Sequence, residues 1–245
     1  MNVEQARFNM IEQQIRPWDV LDPSVLELLH VVHREDFVPE AHRHQAFVDI
    51  ELPLTATRRM LAPKVEARLL QELKVQRHEK VLEIGSATGH LAALLGHKAQ
   101  RVIALEADAG LAAQAAANLR RAGVLNVSVL NQDGANGLAA EEPFDVILLS
   151  GSVASVPQVL LNQLKVGGRL AAIVGADHAH RRERFPRRRA VRYRGRPPAR
   201  FCRSARLQLL SPRRRACSPS PQNAACAPSG RRSSHGFSHR RALRL

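Results

Sequence analysis

Apolar residues recur along the first 175 positions with two different periods, and the change of period organises the chain. Over residues 3–16, Val3, Ala6, Met10 and Ile15 fall near one helical face, with Glu4, Arg7, Glu12 and Gln13 elsewhere, which predicts an amphipathic helix. Pro17 stops it, because the residue before a proline disfavours helical backbone. Asp22-Pro23 announces a second helix: an aspartate can accept from free N–H groups and proline suits the first helical position. Its apolar set is Val25, Leu26, Leu28, Leu29 and Val32. The stretch 33–57 is richer in turns and is expected to wrap over the main domain. Pro63 then opens a third helix, carrying Val65, Ala67, Leu69, Leu70 and Leu73.

From Lys80 the rhythm changes to short apolar runs. Val81–Ile84, Val102–Leu105, Asn126–Leu130, Phe144–Leu149 and Arg169–Val174 read as five strands. Helical stretches at Leu91–Leu95, Leu111–Arg121 and Val156–Leu164 alternate with them. Apolar strands alternating with helices predict an α/β fold, a doubly wound and mostly parallel sheet covered on both faces, here with an N-terminal helical cap. No internal repeat is present. The expected organisation is a cap with a substrate loop over 1–62, a sheet domain over 63–177 and a tail over 178–245.

Charge separates the tail from the rest. Residues 1–177 hold 17 basic and 21 acidic side chains, a net of −4, whereas 178–245 hold 20 arginines and one acid, Glu183, a net of +19. The sequence pI of about 11.3 therefore describes an arginine-rich tail on a mildly acidic domain. Seven prolines and little apolar periodicity make disorder the expectation for that tail. Three readings stand beside one another: a nucleic-acid-binding tail, a tail without a role, and an out-of-frame translation of a GC-rich gene. The last fits best, because permissible codons for 191–210, read one nucleotide later, spell a strand-like run that ends at a stop. No run of 18 apolar residues predicts a membrane span. Glu4, Arg7 and Glu12 stand where a secretory signal needs an apolar run. All three cysteines (Cys202, Cys217, Cys226) lie in the tail, so a disulfide framework or cysteine zinc site is excluded for the domain and a cytoplasmic setting is expected.

The chemistry concentrates at Glu83-Ile84-Gly85-Ser86-Ala87-Thr88-Gly89-His90. A glycine-rich turn between strand and helix points backbone N–H groups at a ligand. The dinucleotide pattern G-x-G-x-x-G fails here, since Ala87 and His90 stand at two of its glycine positions. The pattern acid-x-Gly-x-Gly-x-Gly of S-adenosylmethionine loops fits through Glu83, Gly85 and Gly89, with only Ala87 altered. Glu106 ends the next strand, where a carboxylate can accept from ribose hydroxyls, and Asp133-Gly134 follow the third, placed for the adenine end. The expected cofactor site is therefore Glu83, Gly85, Ser86, Gly89, Glu106, Asp133 and Gly134, lining one crevice at the carboxyl ends of adjacent strands.

These residues, with Asp36-Phe37-Val38-Pro39-Glu40, Leu52-Pro53-Leu54, Pro143-Phe144-Asp145 and Gln163–Leu170, make the chain resemble the protein-L-isoaspartate (D-aspartate) O-methyltransferases over about residues 3–175. The resemblance implies S-adenosylmethionine as methyl donor and the α-carboxylate of an isoaspartyl residue in a damaged protein as acceptor. The ester then cyclises to a succinimide, and hydrolysis restores some aspartate. A carboxylate is already ionised at neutral pH and needs no general base, so alignment and exclusion of water are the physical demands. The family usually carries Gln-Thr-Ile-Ser-Gln-Pro beside the donor. With its proline on Pro63, Arg58-Arg59-Met60-Leu61-Ala62 stand there, and Leu61 takes the place of the serine. Arg58 or Arg59 gripping a different substrate carboxylate is the alternative. The family domain also continues past residue 175 with two more strands. Their absence would leave an unpaired edge and favour an inactive product whose basic tail binds nucleic acid.

Weaker candidates complete the reading. Ser150 and Ser152 follow the fourth strand, where a hydroxyl can face the crevice. His90 stands where the family usually has an aromatic, and stacking near the cofactor is one use for it. His42 and His44 stand two apart with Asp49 nearby, but no third ligand has compatible spacing, so no metal is expected. Met10 and Met60 read as packing residues. A monomer without membrane association is expected.

Overall fold

The five predicted strand runs and one strand not predicted, β8, pair into one sheet in the order β5-β4-β3-β6-β7-β8. The strands are β3 (Lys80–Ile84), β4 (Arg101–Glu106), β5 (Val127–Asn131), β6 (Phe144–Val153), β7 (Leu164–Val174) and β8 (Arg189–Arg194), after a two-residue hairpin of β1 (Leu52–Pro53) and β2 (Arg59–Met60). The structure, a computed structural model, describes residues 2–174 and the backbone of 189–194, all within the unit Met1–Leu210. Strands β3 to β7 are parallel, and β8 returns antiparallel to β7.

The first predicted helix is three pieces in sequence. An α-helix, α1, spans Val3–Met10 behind an Asn2 cap whose side chain accepts from Gln5 N at 3.2 Å. A widened turn over Ile11–Ile15 and a tight one over Arg16–Trp18 follow, ended by Asp19 in left-handed backbone. Pro17 explains the break, since it offers no N–H to continue the ladder. Helix α2 (Pro23–Val31) begins as expected, with Asp22 accepting from Ser24 N at 2.9 Å. Helix α3 (Pro63–Leu73) buries Glu66, Leu69, Leu70 and Leu73 along one stripe. Its last carbonyls, Leu73 and Lys74, accept from Arg169 of β7, which also pairs with Glu79 at 2.5 Å. That arginine fastens α3 to the sheet. Helices α4 (His90–Lys98), α5 (Ala109–Arg121) and α6 (Gln158–Asn162) cover the sheet.

The period of two along the strands sorts the core into two layers. Val81, Val102, Ala104, Val146, Leu148, Ala171 and Ile173 face one side, where Met10, Ile15, Leu29, Phe37, Leu69 and Leu94 complete a single cluster. Leu82, Ile103, Leu105, Ile147, Leu149 and Leu170 face the other, against Leu160 and Leu161. The cap therefore shares its core with one face of the sheet.

Two expectations meet a different outcome. The predicted helix over 156–164 is only five residues long, because β7 starts at Leu164 rather than Arg169. The sequence pattern predicts no strand beyond residue 174, yet Arg189–Arg194 pairs with the whole stretch Arg169–Val174. An open edge offers a row of unpaired N–H and C=O groups, and backbone pairing satisfies them with little regard to side-chain pattern. The remaining tail, with its out-of-frame and nucleic-acid readings, lies outside the described residues. Among the described residues no helix is long and apolar enough to cross a membrane, and no group of three metal-ligating side chains occurs.

Candidate active site

The sheet order reverses between β3 and β6, and ligands of open α/β sheets sit outside the carboxyl ends of strands at such a point. Glu83 of β3 and Ser150 of β6 meet there. The Ser150 hydroxyl donates to Glu83 Oε1 at 2.8 Å, and the serine also lines the crevice. Glu83 is fully buried, and its Oε2 has no partner among the described residues. Burial pushes its carboxyl up to about 8; the Ser150 hydrogen bond opposes this, and the nearby acids Glu66 and Glu106 add to it.

The turn after β3 requires glycine twice. Gly85 and Gly89 both have φ of +88°, a region side chains resist. Gly89 starts α4, and a Cβ there would sit 3.2 Å from Ala115 Cβ of α5. Ala87, the residue that breaks the glycine pattern, also has positive φ (52°), and its N–H donates to Glu106 Oε2 at 2.9 Å. Ser86 is buried and its hydroxyl has no partner among the described residues.

Glu106 is 2% exposed and fastens the turn to its own strand end, accepting from Ala87 N and from Asp108 N at 3.1 Å. Asp133 stands exposed at the tip of β5, one strand further out, with Oδ1 accepting from Ala135 N at 3.0 Å. Gly134 packs on Ile84 so closely that a Cβ would lie 2.4 Å from its Cγ2. The predicted residues thus occupy adjacent strand tips. Glu83, Gly85 and Ser86 line one narrow cleft, of about 20 Å³, whereas Glu106, Asp133 and Gly134 lie beside it. A larger, shallow hollow of about 550 Å³ lies at the opposite sheet end, around Lys80, Arg101 and Asn126. It gathers no buried acid, whereas the smaller cleft holds the buried Glu83.

The other wall comes from the segment that departs from the family loop. Arg59, Met60 and Leu61 line the cleft, and Thr88 Oγ1 approaches Met60 Sδ at 3.7 Å. Arg58 is exposed, with Nε 3.9 Å from Glu106 Oε1. Leu61 contributes its carbonyl, which accepts from Arg34 at 2.6 Å. Behind this wall lies a buried cluster that sequence reasoning missed. Arg34 pairs with Glu66, and His90 Nδ1 lies 2.8 Å from the same Glu66 oxygen. Burial pushes the Glu66 carboxyl up, but Arg34 and His90 outweigh it and hold it below the usual carboxylate range. A signal for Glu66 existed: it precedes Leu69, Leu70 and Leu73 by three, four and seven residues, so a charge stands in the apolar stripe of its helix. Arg34 stands in an irregular segment, where no periodicity marks an inward side chain. His90 meets this cluster and the edge of Phe37, with ring centroids 5.4 Å apart, and also lines the cleft.

A parallel sheet in the order β5-β4-β3-β6-β7, with a glycine turn and an acid at each of three adjacent strand tips, is the Rossmann-like arrangement of S-adenosylmethionine-dependent methyltransferases. The family model described as "Protein-L-isoaspartate(D-aspartate) O-methyltransferase (PCMT)" matches residues 5–197, and the chain belongs to that family. A relative from Koribacter versatilis, named "Protein-L-isoaspartate O-methyltransferase", is 39% identical over 170 residues, covering 69% of this chain and 77% of its own. One from Rhodopseudomonas palustris is 41% identical over 168 residues, with 69% and 77% covered. A solved protein-L-isoaspartate O-methyltransferase superimposes with a TM-score of 0.62 at 23% identity; the match covers 78% of this chain and 61% of that one. A Plasmodium falciparum structure described as a complex with S-adenosyl-L-homocysteine gives 0.59 at 19%, covering 73% and 86%.

Proposed function

We propose that this chain methylates the α-carboxylate of isoaspartyl residues in proteins, with S-adenosylmethionine as donor, acting as a monomer in the cytoplasm. The observation that carries the reading is the unpartnered, buried Glu83 Oε2 at the switch point, directly before the glycine turn of a family-matched domain. The donor supplies a methyl group made electrophilic by its sulfonium. The residues present fit such a ligand. Glu83, protonated in the free chain, would give up its proton to pair as a carboxylate with an ammonium, and Ser86 offers a hydroxyl without a partner among the described residues. Glu106 accepts one N–H on each oxygen, which leaves a lone pair on each for ribose hydroxyls. Asp133 and Gly134 stand where the adenine end would lie. Gly85 and Gly89 bring backbone close to the ligand. The acceptor arrives ionised, so these side chains need only orient it and exclude water. A cysteine-free domain suits the cytoplasm, and a site assembled from one chain suits a monomer.

Radiolabelled methyl transfer by the full chain to an isoaspartyl peptide and to its aspartyl twin tests the reading. Label on the isoaspartyl peptide alone is expected. No label, or equal label, overturns it. Leu61, with no polar side-chain atom, and Arg59 in the cleft wall favour the second reading, methylation of another carboxylate. Equal label on both peptides is its signature.

A further inference from the structure

Three buried polar atoms around the cleft lack a partner among the described residues: Glu83 Oε2, Ser86 Oγ and His90 Nε2. The proposed donor site uses the first two. It leaves the third unexplained, and a buried unpaired ring nitrogen costs stability unless something pairs with it. His90 is the first residue of α4 and is 2% exposed. Its Nδ1 lies 2.8 Å from Glu66 Oε2, and Glu66 is held ionised, so Nδ1 carries a proton and donates. Arg34 NH1 stands 3.4 Å from the same nitrogen and pairs with Glu66, while the edge of Phe37 at 65° fixes the ring plane. The ring is thus clamped on one side, and the residue lines the cleft together with Leu61 and Arg59.

We propose that His90 Nε2, on a ring clamped through Nδ1 by Glu66, is the hydrogen-bond donor that grips the methyl-accepting carboxylate. This rests on the carboxylate-methylation reading and deepens it by naming the acceptor contact. Charge decides the direction of the bond. Arg34 and Glu66 cancel, Asp49 draws on Arg34 from beyond, Glu83 faces the cleft from β3, and Arg59 stands at its rim. An incoming carboxylate adds a negative charge to this buried space, and Leu61 offers its side chain no polar group. With the carboxylate a proton enters from solvent and is held on Nε2, which cancels that charge and turns the orphaned nitrogen into a charge-assisted donor. One carboxylate oxygen is then held by the ring, and the other is free to receive the methyl group.

The test uses the full chain loaded with S-adenosylhomocysteine and a short isoaspartyl peptide. Nitrogen-15 spectra of the histidines report the ring directly, with the His90 signal assigned by its loss in His90→Phe. Before peptide, only Nδ1 is expected to carry a proton; with peptide, both nitrogens. A ring left unchanged by the peptide overturns the proposal. In kinetics, His90→Phe is expected to raise KM for the peptide by about tenfold to a hundredfold. S-adenosylhomocysteine affinity should stay within about twofold, the precision of such comparisons on this scale. His90→Gln, which keeps an amide donor, is expected to recover part of the KM. An unchanged KM in both variants overturns the proposal and leaves the methylation reading standing if wild type labels the peptide. A wild type that labels nothing removes the reading itself.

Discussion

Glu83 concentrates the conflict between stability and chemistry in this protein. Its carboxyl is pushed up to about 8 by burial, so at neutral pH the folded chain holds a proton there that the unfolded chain releases. A raised carboxyl pKa makes stability fall as pH rises from about 4.5 to about 8, and level off above. Glu83→Gln keeps the shape and removes the titration. Its denaturation midpoint is therefore expected to fall less than that of wild type between about pH 5 and pH 8. Its affinity for S-adenosylhomocysteine is expected to drop by about tenfold, because a charge-assisted contact to the ligand ammonium is lost. Parallel pH slopes in the two proteins, measured by urea titration, would contradict the burial argument. Unchanged affinity by calorimetry would remove Glu83 from the donor site.

Each element reaches the site through a contact that its own sequence does not contain. Helix α3 carries Glu66 to the cluster, and its end is held by Arg169 of β7, which donates to Leu73 O, Lys74 O and Glu79. Arg169 is buried, so its removal strands the Glu79 carboxylate and two helix-end carbonyls. Arg169→Met is expected to cost about 3 kcal/mol, the scale for breaking one partner of a buried pair. A urea midpoint within experimental error of wild type would show that the clamp contributes nothing. The turn between β3 and α4 obeys local rules more closely: its two left-handed glycines are legible in the sequence. The hairpin wall is not. Nothing in Arg58-Arg59-Met60-Leu61 announces that a two-residue strand pairing, Leu52 with Met60, folds it over the glycine turn.

For the molecule as a whole, two sets of carboxyls pull the pH profile in opposite directions. Asp22, Glu66, Glu79 and Asp145 are held below their usual range by Ser24, Arg34, Arg169 and Lys165 respectively, against the cost of burial. Their contribution is present above the ordinary carboxylate range and lost as pH falls through the lower folded values. Glu83 acts in the opposite sense above that range. Wild-type stability is expected to peak near about pH 5 and decline on both sides, and urea midpoints from pH 3 to pH 9 measure it. A steady rise to pH 8 would contradict this balance. The order of strands and helices, the sheet type, the glycine turn and the acids at its tips were fixed by the amino-acid order, because period and backbone conformation are local properties. The pairing of Arg189–Arg194 with β7, the attachment of Ser150 to Glu83 and the buried Arg34–Glu66–His90 cluster were decided only in three dimensions. Those contacts join residues up to 67 positions apart, and no local pattern can report a partner that distant.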